Sequence, residues 1–371
     1  MVLDNSSQKN PLSAKKIVLF LVYALIAVCL FFTVLSFNDL PGIMEKLASA
    51  NPVYILLGAC MLLVYMALYP LSLCILTKAR GCKISGKLTY SIAMTEFFFN
   101  GITPLATGGQ PFQAHSFSRA KVKIGESTGL LLTNLIIYMI VTTGFSLLGL
   151  FYFEELTAHI DPAFIPVIVI GYALNFSMMV IMIALGTSKG LRNALLRMIR
   201  FFGKFRLLAF LKSKEAGAKE YFTQVQEAFS DLMKHKKECL LAVLTKIAAF
   251  VFFYGSTFFA LLALGIPVNF SHFFMVLCGT SFAITAVGFI PTPGASGSTE
   301  GSACQVFKCI IMFLIGEKIV TEAIELDASS VMLIWRLLSY YLVMVISLIF
   351  VVSNEIYFSK KAKKERLSAK R

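Results

Sequence analysis

The sequence predicts an all-α polytopic membrane protein, with about six full transmembrane helices and two oppositely oriented re-entrant helix hairpins that form an inverted repeat. Three observations carry this expectation. Of the 371 residues, 57% are hydrophobic and mean hydropathy is +0.78, against an apolar share of ~45–50% in soluble domains. The 34 lysines and arginines gather in segments that alternate with long apolar runs. Two apolar stretches, one in each half of the chain, are interrupted by glycine and proline, and such broken segments are the best sequence pointer to a transporter-type site.

Residues 1–16 are polar, carry Lys9, Lys15 and Lys16, and read as a cytoplasmic N-terminus. The first membrane half is 17–186. Its opening apolar run, 17–37, is long enough to span, since about 20 residues cross the hydrocarbon core. No small-residue cleavage site precedes Asn38, so it reads as a span rather than a signal peptide. Residues 38–52 form an external loop with Asp39, Glu45 and Lys46, and a second span covers about 53–76. Lys78, Arg80, Lys83 and Lys87 follow. The first broken segment, 88–118, is flanked on its far side by Arg119, Lys121 and Lys123, which puts both of its ends on one side. Spans at about 127–152 and 163–186 enclose an acidic loop with Glu154, Glu155 and Asp161.

Residues 187–239 form a basic linker. Leu195, Ile199, Phe202 and Leu208 interleave with Arg192, Arg197, Arg200, Lys204 and Arg206, the pattern of an amphipathic helix lying on an anionic membrane surface; a solvated connector is the alternative. Tyr221, Val225, Phe229 and Leu232 then recur at helical spacing and predict a returning helix. The second membrane half, 240–352, holds a span at 240–264, the second broken segment at about 270–316, and a last span at 329–352. Between the last two lie Glu317, Glu322, Glu325 and Asp327, and a basic cytoplasmic tail occupies 353–371.

Charge supports this order. The segments placed in the cytoplasm hold 29 of the 34 basic residues, while the external loops hold Lys46 and Lys318, as the positive-inside rule requires. The first hairpin then enters from the cytoplasm and the second from outside. The net charge of +14 has this topological explanation and needs no nucleic acid. The eight cysteines include no Cys-x-x-Cys pair, so neither a disulfide framework nor a metal site is expected.

The two broken segments carry the candidate chemistry. GITPLATGGQ (101–110) and GFIPTPGASGSTEGS (288–302) each place a Gly-x-x-Pro before small residues and glycines, so Gly101-x-x-Pro104 matches Gly288-x-x-Pro291. Proline stops a helix and glycine permits the turn, and irregular backbone at membrane depth is tolerated only where protein or water surrounds it. Ionisable residues inside apolar sequence are costly and mark function: Glu96, Lys246, Glu300, Lys308 and Arg336. Lys308 lies two helical turns beyond Glu300 and shares its face. Arg336 suits recognition of a phosphate, and Thr103, Thr107, Gln110, Gln113, Ser296, Ser298 and Thr299 supply further polar groups. A buried Glu300–Arg336 pair that locks the helices is the competing reading, and one pair can serve both roles. Lys246, seven residues into its span, is expected to snorkel to the interface. His115 is expected to be hydrogen-bonded rather than titrating, and His159 and His272 to be interfacial. No phosphate-cradling Gly-x-x-x-x-Gly-Lys, nucleophile elbow or metal-spaced set is present, so no catalytic residue and no cofactor is expected.

GITPLATGGQPFQAHSFSR (101–119), TGLLLTNLIIY (128–138) and PTPGASGSTEG (291–301) resemble motifs of the lysylphosphatidylglycerol synthase transmembrane (flippase-like) family, the membrane part of the multiple peptide resistance factor proteins. The resemblance covers about residues 15–355. It implies a bacterial cytoplasmic-membrane protein, with both termini inside, that moves an anionic or aminoacylated phospholipid between leaflets. Motif positions carried over are Pro104, Gly108, Gly109, Gln110, Pro111, Pro291, Pro293, Gly294, Gly297 and Glu300. Two-part members of the family add a soluble domain that transfers lysine from lysyl-tRNA to phosphatidylglycerol, a reaction linked to cationic antimicrobial peptide resistance. The 371 residues leave no room for that domain after the last span, so translocation is the leading expectation. Phosphatidylglycerol lysyltransferase activity, or service as the membrane subunit of such an enzyme, is the alternative. A phospholipid substrate and the membrane are the expected partners, with a separately encoded lipid-modifying enzyme and a second copy of the chain as further candidates. Nucleic acid is expected only as lysyl-tRNA in the enzyme reading. Alternating access is expected from movement of one inverted half against the other.

Overall fold

The computed structural model describes residues 39–202, 215–288 and 290–368. The expected first span, 17–37, and the 203–214 portion of the linker lie outside the described residues. Among the described residues the protein is all α-helical, with seven helical runs long and apolar enough to cross a membrane. It is a multi-pass membrane protein.

A short helix, α1 (Leu40–Ser49), is capped by the Asp39 carboxylate, which accepts from the Gly42 N–H at 3.0 Å. The next run, Pro52–Ala79, divides at Pro70 into α2 (Pro52–Leu68) and α3 (Leu71–Ala79), because proline has no N–H to continue the ladder and its ring crowds the preceding turn. The first broken segment is α4 (Gly86–Ile102) and α5 (Gly109–Arg119). Then come α6 (Ile124–Leu148), short α7 (Phe153–Thr157), and α8 (Ile165–Thr187). The linker holds α9 (Lys189–Phe202) and α10 (Glu215–Leu232). The second half comprises α11 (Lys236–Ala263), the broken segment α12 (Phe273–Val287) and α13 (Ser298–Ile315), then α14 (Glu322–Arg336) and α15 (Val343–Ser368). A π-helical turn, Leu337–Leu342, joins the last two into one run of 47 residues. At 1.5 Å per residue that is about 70 Å, more than twice the hydrocarbon thickness, so the helix runs on through the basic tail instead of stopping near residue 352.

Two ends of the bundle are defined by the charges that meet there. At one, Arg80 pairs with Glu126 at the start of α6 (3.4 Å) and with Asp231 at the end of α10 (3.0 Å). Arg119 and Lys121, at and beyond the end of α5, pair with Glu355 and Glu365 of α15. At the other end, Lys46 of α1 meets Asp327 of α14 at 2.6 Å, and the Asn51 N–H donates to the Ala263 carbonyl at 2.8 Å. The outer ends of α4 and α5 therefore both lie at the first end. Those of α12 and α13 lie at the second, where α13 also packs on α7. Each broken segment is a helical hairpin, and the two point their tips towards each other.

The core is formed where α2, α6, α11 and α12 pack together and where α13 and α14 pack beside them. By contrast α8 leaves Ile165, Val169, Ile170, Leu174, Phe176 and Val180 exposed. A continuous apolar face of that kind is stable against lipid tails and not against water. In the linker, α10 buries Val225 and Phe229 against Leu132 and Ile136 of α6 and Leu232 in the main core, the stripe visible in the sequence.

Candidate functional site at the hairpin tips

The two tips repeat one another in detail. The chain runs Thr103-Pro104-Leu105-Ala106-Thr107-Gly108 into α5, and Thr292-Pro293-Gly294-Ala295-Ser296-Gly297 into α13. In the first, the Ala106 N–H donates to the Thr103 carbonyl (3.2 Å) and the Thr107 N–H to the Pro104 carbonyl (3.3 Å). In the second, Ala295 donates to Thr292 (3.0 Å) and Ser296 to Pro293 (3.1 Å). Both tips place positive φ at the two residues after proline: 56° and 52° at Leu105 and Ala106, 59° and 51° at Gly294 and Ala295. This corrects the register of the repeat. Pro104 corresponds to Pro293 and not to Pro291. Proline presets the second position of such a turn, and only Pro293 is followed by left-handed backbone. Pro104 and Pro293 also face each other in an isolated antiparallel bridge, so the tips touch.

Left-handed backbone costs a residue with a Cβ about 1–2 kcal/mol. Three of the four such residues among those described, Leu105, Ala106 and Ala295, are at the tips. Strain of this kind persists only where surrounding structure enforces it, and it concentrates at functional sites. Pro104, Leu105, Ala106 and Thr107 of the first tip, and Gly288 and Pro291 beside the second, are exposed.

Behind the first tip, Glu96 of α4 is buried and gathers neutral donors. Its Oε1 accepts from the Tyr69 hydroxyl (3.2 Å), Gln110 Nε2 (3.2 Å) and, at 3.5 Å, Asn100 Nδ2. Its Oε2 accepts from Gln113 Nε2 (3.3 Å). The α5 N-terminus settles onto this cluster because residue 109 is glycine: a Cβ there would lie 2.5 Å from Asn100 Oδ1 and 2.8 Å from Glu96 Cγ. The Gly109 N–H donates to Asn100 Oδ1 (2.9 Å), and the Gly108 N–H to Thr103 Oγ1 (2.8 Å). Both bonds satisfy amides that a helix start leaves without partners.

Behind the second tip, Glu300 occupies the first turn of α13 and is fully buried. Its Oε2 accepts from the Gly297 N–H (2.6 Å), and its Oε1 from Arg336 Nε (2.8 Å). Arg336 Nη2 donates to the Gly294 carbonyl (2.7 Å) and to Ser296 Oγ (3.3 Å). The guanidinium also lies 4.2 Å from the Tyr340 ring centroid. The Tyr340 hydroxyl reaches the other hairpin and donates to the Gly101 carbonyl (2.9 Å). Tyr340 and Arg336 thus tie the two tips from one stretch of helix.

The residues singled out in the sequence divide clearly. Glu96, Thr103, Pro104, Gly108, Gly109, Gln110 and Gln113 form the first tip and its support. Pro293, Gly294, Gly297, Ser298, Glu300 and Arg336 form the second, with Ser298 Oγ donating to the Ala295 carbonyl (2.9 Å). Pro291 stands exposed just before that turn. Lys308 is buried further along α13 and makes no ion pair among the described residues; Glu300 is joined to Arg336 instead. The expectation that Lys246 snorkels is overturned: it is fully buried, and its Nζ lies 2.9 Å from the Tyr69 ring centroid. The amine lies on the core face of α11, with Ala242, Ala249 and Phe250, while Leu240, Leu241, Leu244 and Ile247 form the helix's exposed face. Tyr69, Asn100 and Tyr340 are neighbours of these residues that sequence reasoning missed. The spacings were available: Asn100 is four residues after Glu96, and Tyr340 four after Arg336, one helical turn in each case.

A family model described as the lysylphosphatidylglycerol synthase TM region matches residues 19–347. No curated protein is similar enough to match.

Proposed function

This chain belongs to the lysylphosphatidylglycerol synthase transmembrane-region family, and on that premise we propose that it is a lipid translocase that carries an anionic or aminoacylated phospholipid between leaflets. The observation that carries the reading is the contact of two strained Thr-Pro tips, Pro104 against Pro293, at the centre of apolar sequence. A headgroup crossing the hydrocarbon must exchange its water for other polar partners or lose several kcal/mol. In this reading both hairpins are re-entrant and enter from opposite sides. The headgroup lies at the tips beside Thr103, Thr107, Gln110 and Ser298. The Gln110 amide and the Thr107 and Ser298 hydroxyls suit its phosphate, and Glu96 suits the ammonium of an aminoacylated headgroup. The acyl chains stay in lipid. The protein resides in a bacterial cytoplasmic membrane with both termini inside, alone or as a homodimer, and serves a separately encoded lipid-modifying enzyme.

The family's description as part of a synthase favours a second reading, in which the chain takes part in lysyl transfer from lysyl-tRNA to phosphatidylglycerol. One reconstitution separates the two. Proteoliposomes containing labelled phosphatidylglycerol or its lysyl derivative are assayed for leaflet exchange, and the same protein is supplied with charged tRNA. Translocation predicts faster exchange of one headgroup, slowed by Thr107→Val at the exposed tip, and no lysyl-lipid product. Exchange no faster than in empty vesicles, from folded protein, rejects the translocase; formation of lysyl-lipid establishes the synthase.

A further inference from the structure

Lys246 and Lys308 are the buried amines that the lipid reading leaves unused, and Lys246 is the more deeply enclosed. It sits on α11, fully enclosed, and among the described residues no acceptor lies within hydrogen-bond reach of its Nζ. Its one polar contact is the face of Tyr69, at 2.9 Å. The hydroxyl of that same tyrosine donates to Glu96, and Glu96 is the charged group whose field reaches the amine. The arrangement is a line: carboxylate, phenol, amine. It contrasts with the second hairpin, where Glu300 has an arginine at 2.8 Å. One buried carboxylate is neutralised by direct contact with a cation that does not lose its proton. The other faces an amine that it does not touch, on a side chain that, unlike arginine, can give up its proton in a buried site.

We propose that the Glu96–Tyr69–Lys246 cluster binds a proton and couples lipid movement to the proton gradient. The inference rests on the translocase reading above. A carboxylate and an ammonium, each enclosed and not in contact, are both costly to keep charged. With one proton the pair is neutral overall, either as carboxylate and ammonium or as carboxylic acid and amine. Losing that proton leaves a single buried negative charge behind the first tip. Glu96 is joined to that tip through Gln110 and Asn100, so the charge at the cluster and the occupancy of the tip are linked, and by reciprocity each ligand alters the other's affinity. The surrounding groups leave the proton to this pair. Tyr65, Tyr69, Tyr138 of α6 and Tyr254 of α11 are phenols. Lys78 of α3 is exposed, Cys278 lies on α12, and Arg336 of α14 is committed to Glu300.

Two measurements test it together. Infrared difference titration of the protein in nanodiscs reads the protonated-carboxyl band directly. The band is expected to vanish in Glu96→Gln, to shift its midpoint in Lys246→Met, and to be unmoved in Lys46→Ala at the far end of the bundle. A titration identical in the parent and both cluster variants overturns the proton site. In proteoliposomes, a difference of one pH unit should displace the leaflet distribution of the transported lipid by up to about tenfold if one proton moves per lipid, and Lys246→Met should abolish that response. Exchange that is rapid but indifferent to the pH gradient overturns the coupling and leaves the translocase standing. Absence of any exchange defeats the translocase instead, and the infrared titration then decides the proton site alone.

Discussion

Replacing Arg336 by methionine should be among the costliest single changes near the tips. The guanidinium makes a charge-assisted bond to Glu300 at 2.8 Å and bonds to the Gly294 carbonyl at 2.7 Å and Ser296 at 3.3 Å. Its side chain is 6% exposed and that of Glu300 is 0% exposed. Removing one partner of such a pair strands the other's charge, at about 3–5 kcal/mol. Glu300→Gln should cost a similar amount, because it strands the arginine's charge and leaves one acceptor oxygen where Arg336 and the Gly297 N–H used two. The double variant strands neither charge, so its cost should fall short of the sum by about 2 kcal/mol or more. The protein carries its own reporter: the only tryptophan, Trp335, is buried beside Arg336 with Phe253 and Phe307 against its ring. Unfolding by sodium dodecyl sulfate in mixed micelles, followed by tryptophan fluorescence, measures all three variants. If Arg336→Met stays within about 0.5 kcal/mol of the parent, or the single costs simply add, the pair is not the clamp described here.

Three further outcomes are expected. Gly294→Ala places a Cβ 2.5–2.7 Å from the Tyr340 ring at a φ of 59°; left-handed strain and overpacking together should destabilise by about 2–4 kcal/mol, seen as a lower unfolding midpoint. Residues paired across an antiparallel bridge have Cα atoms about 4.5–5.5 Å apart, within disulfide range, so Pro104→Cys with Pro293→Cys in a background lacking the native cysteines should cross-link on oxidation; lipid exchange should stop when the bond forms and return on reduction. Cys82, in the loop between α3 and α4, has its thiol pushed up to about 11 by burial and then by Glu126. Only the thiolate reacts, so its maleimide labelling should accelerate about tenfold per pH unit from pH 7 towards that value, and Glu126→Gln should hasten it at every pH.

Hydropathy and charge made the bundle legible because lipid imposes a length and a charge sidedness that every span must satisfy. The tips were legible as breaks but not in register. Pro291 and Pro293 stand two residues apart, and Gly-x-x-Pro selected the wrong one. The string Thr-Pro-x-Ala-Thr/Ser-Gly occurs at both tips and selects the right one. Lys246 was misread for a physical reason. Its helix is apolar on all sides, so no periodic stripe says which way position 246 faces. The Glu300–Arg336 contact joins residues 36 apart in the chain, through a fold that local spacing does not encode. What the sequence did supply was the short set of buried charges from which that pair had to be drawn.

The packing argues against a movement of one sequence half as a rigid block against the other. Helix α2 of the first half packs along α11 of the second, and α4 packs along α15. The latter contact is stitched by Ser91 Oγ to Asn354 (2.7 Å), by Ser347 Oγ to the Met94 carbonyl (2.6 Å), and by the Phe98 N–H to Ser347 Oγ (3.0 Å). Separating the halves would expose these groups to hydrocarbon, where an unmet polar group costs several kcal/mol. The tips are different. One bridge joins them, and their three left-handed residues hold about 3–6 kcal/mol of backbone strain. Among the described residues one helical run reaches both tips: Arg336 grips the second and Tyr340 the first, and Tyr340 lies inside the π-helical turn 337–342. Such turns are wider than the α-helix on either side and recur at functional sites. A change in winding there would shift Tyr340 relative to Arg336, and so one tip relative to the other, while the stitched interface of α4 with α15 stays closed.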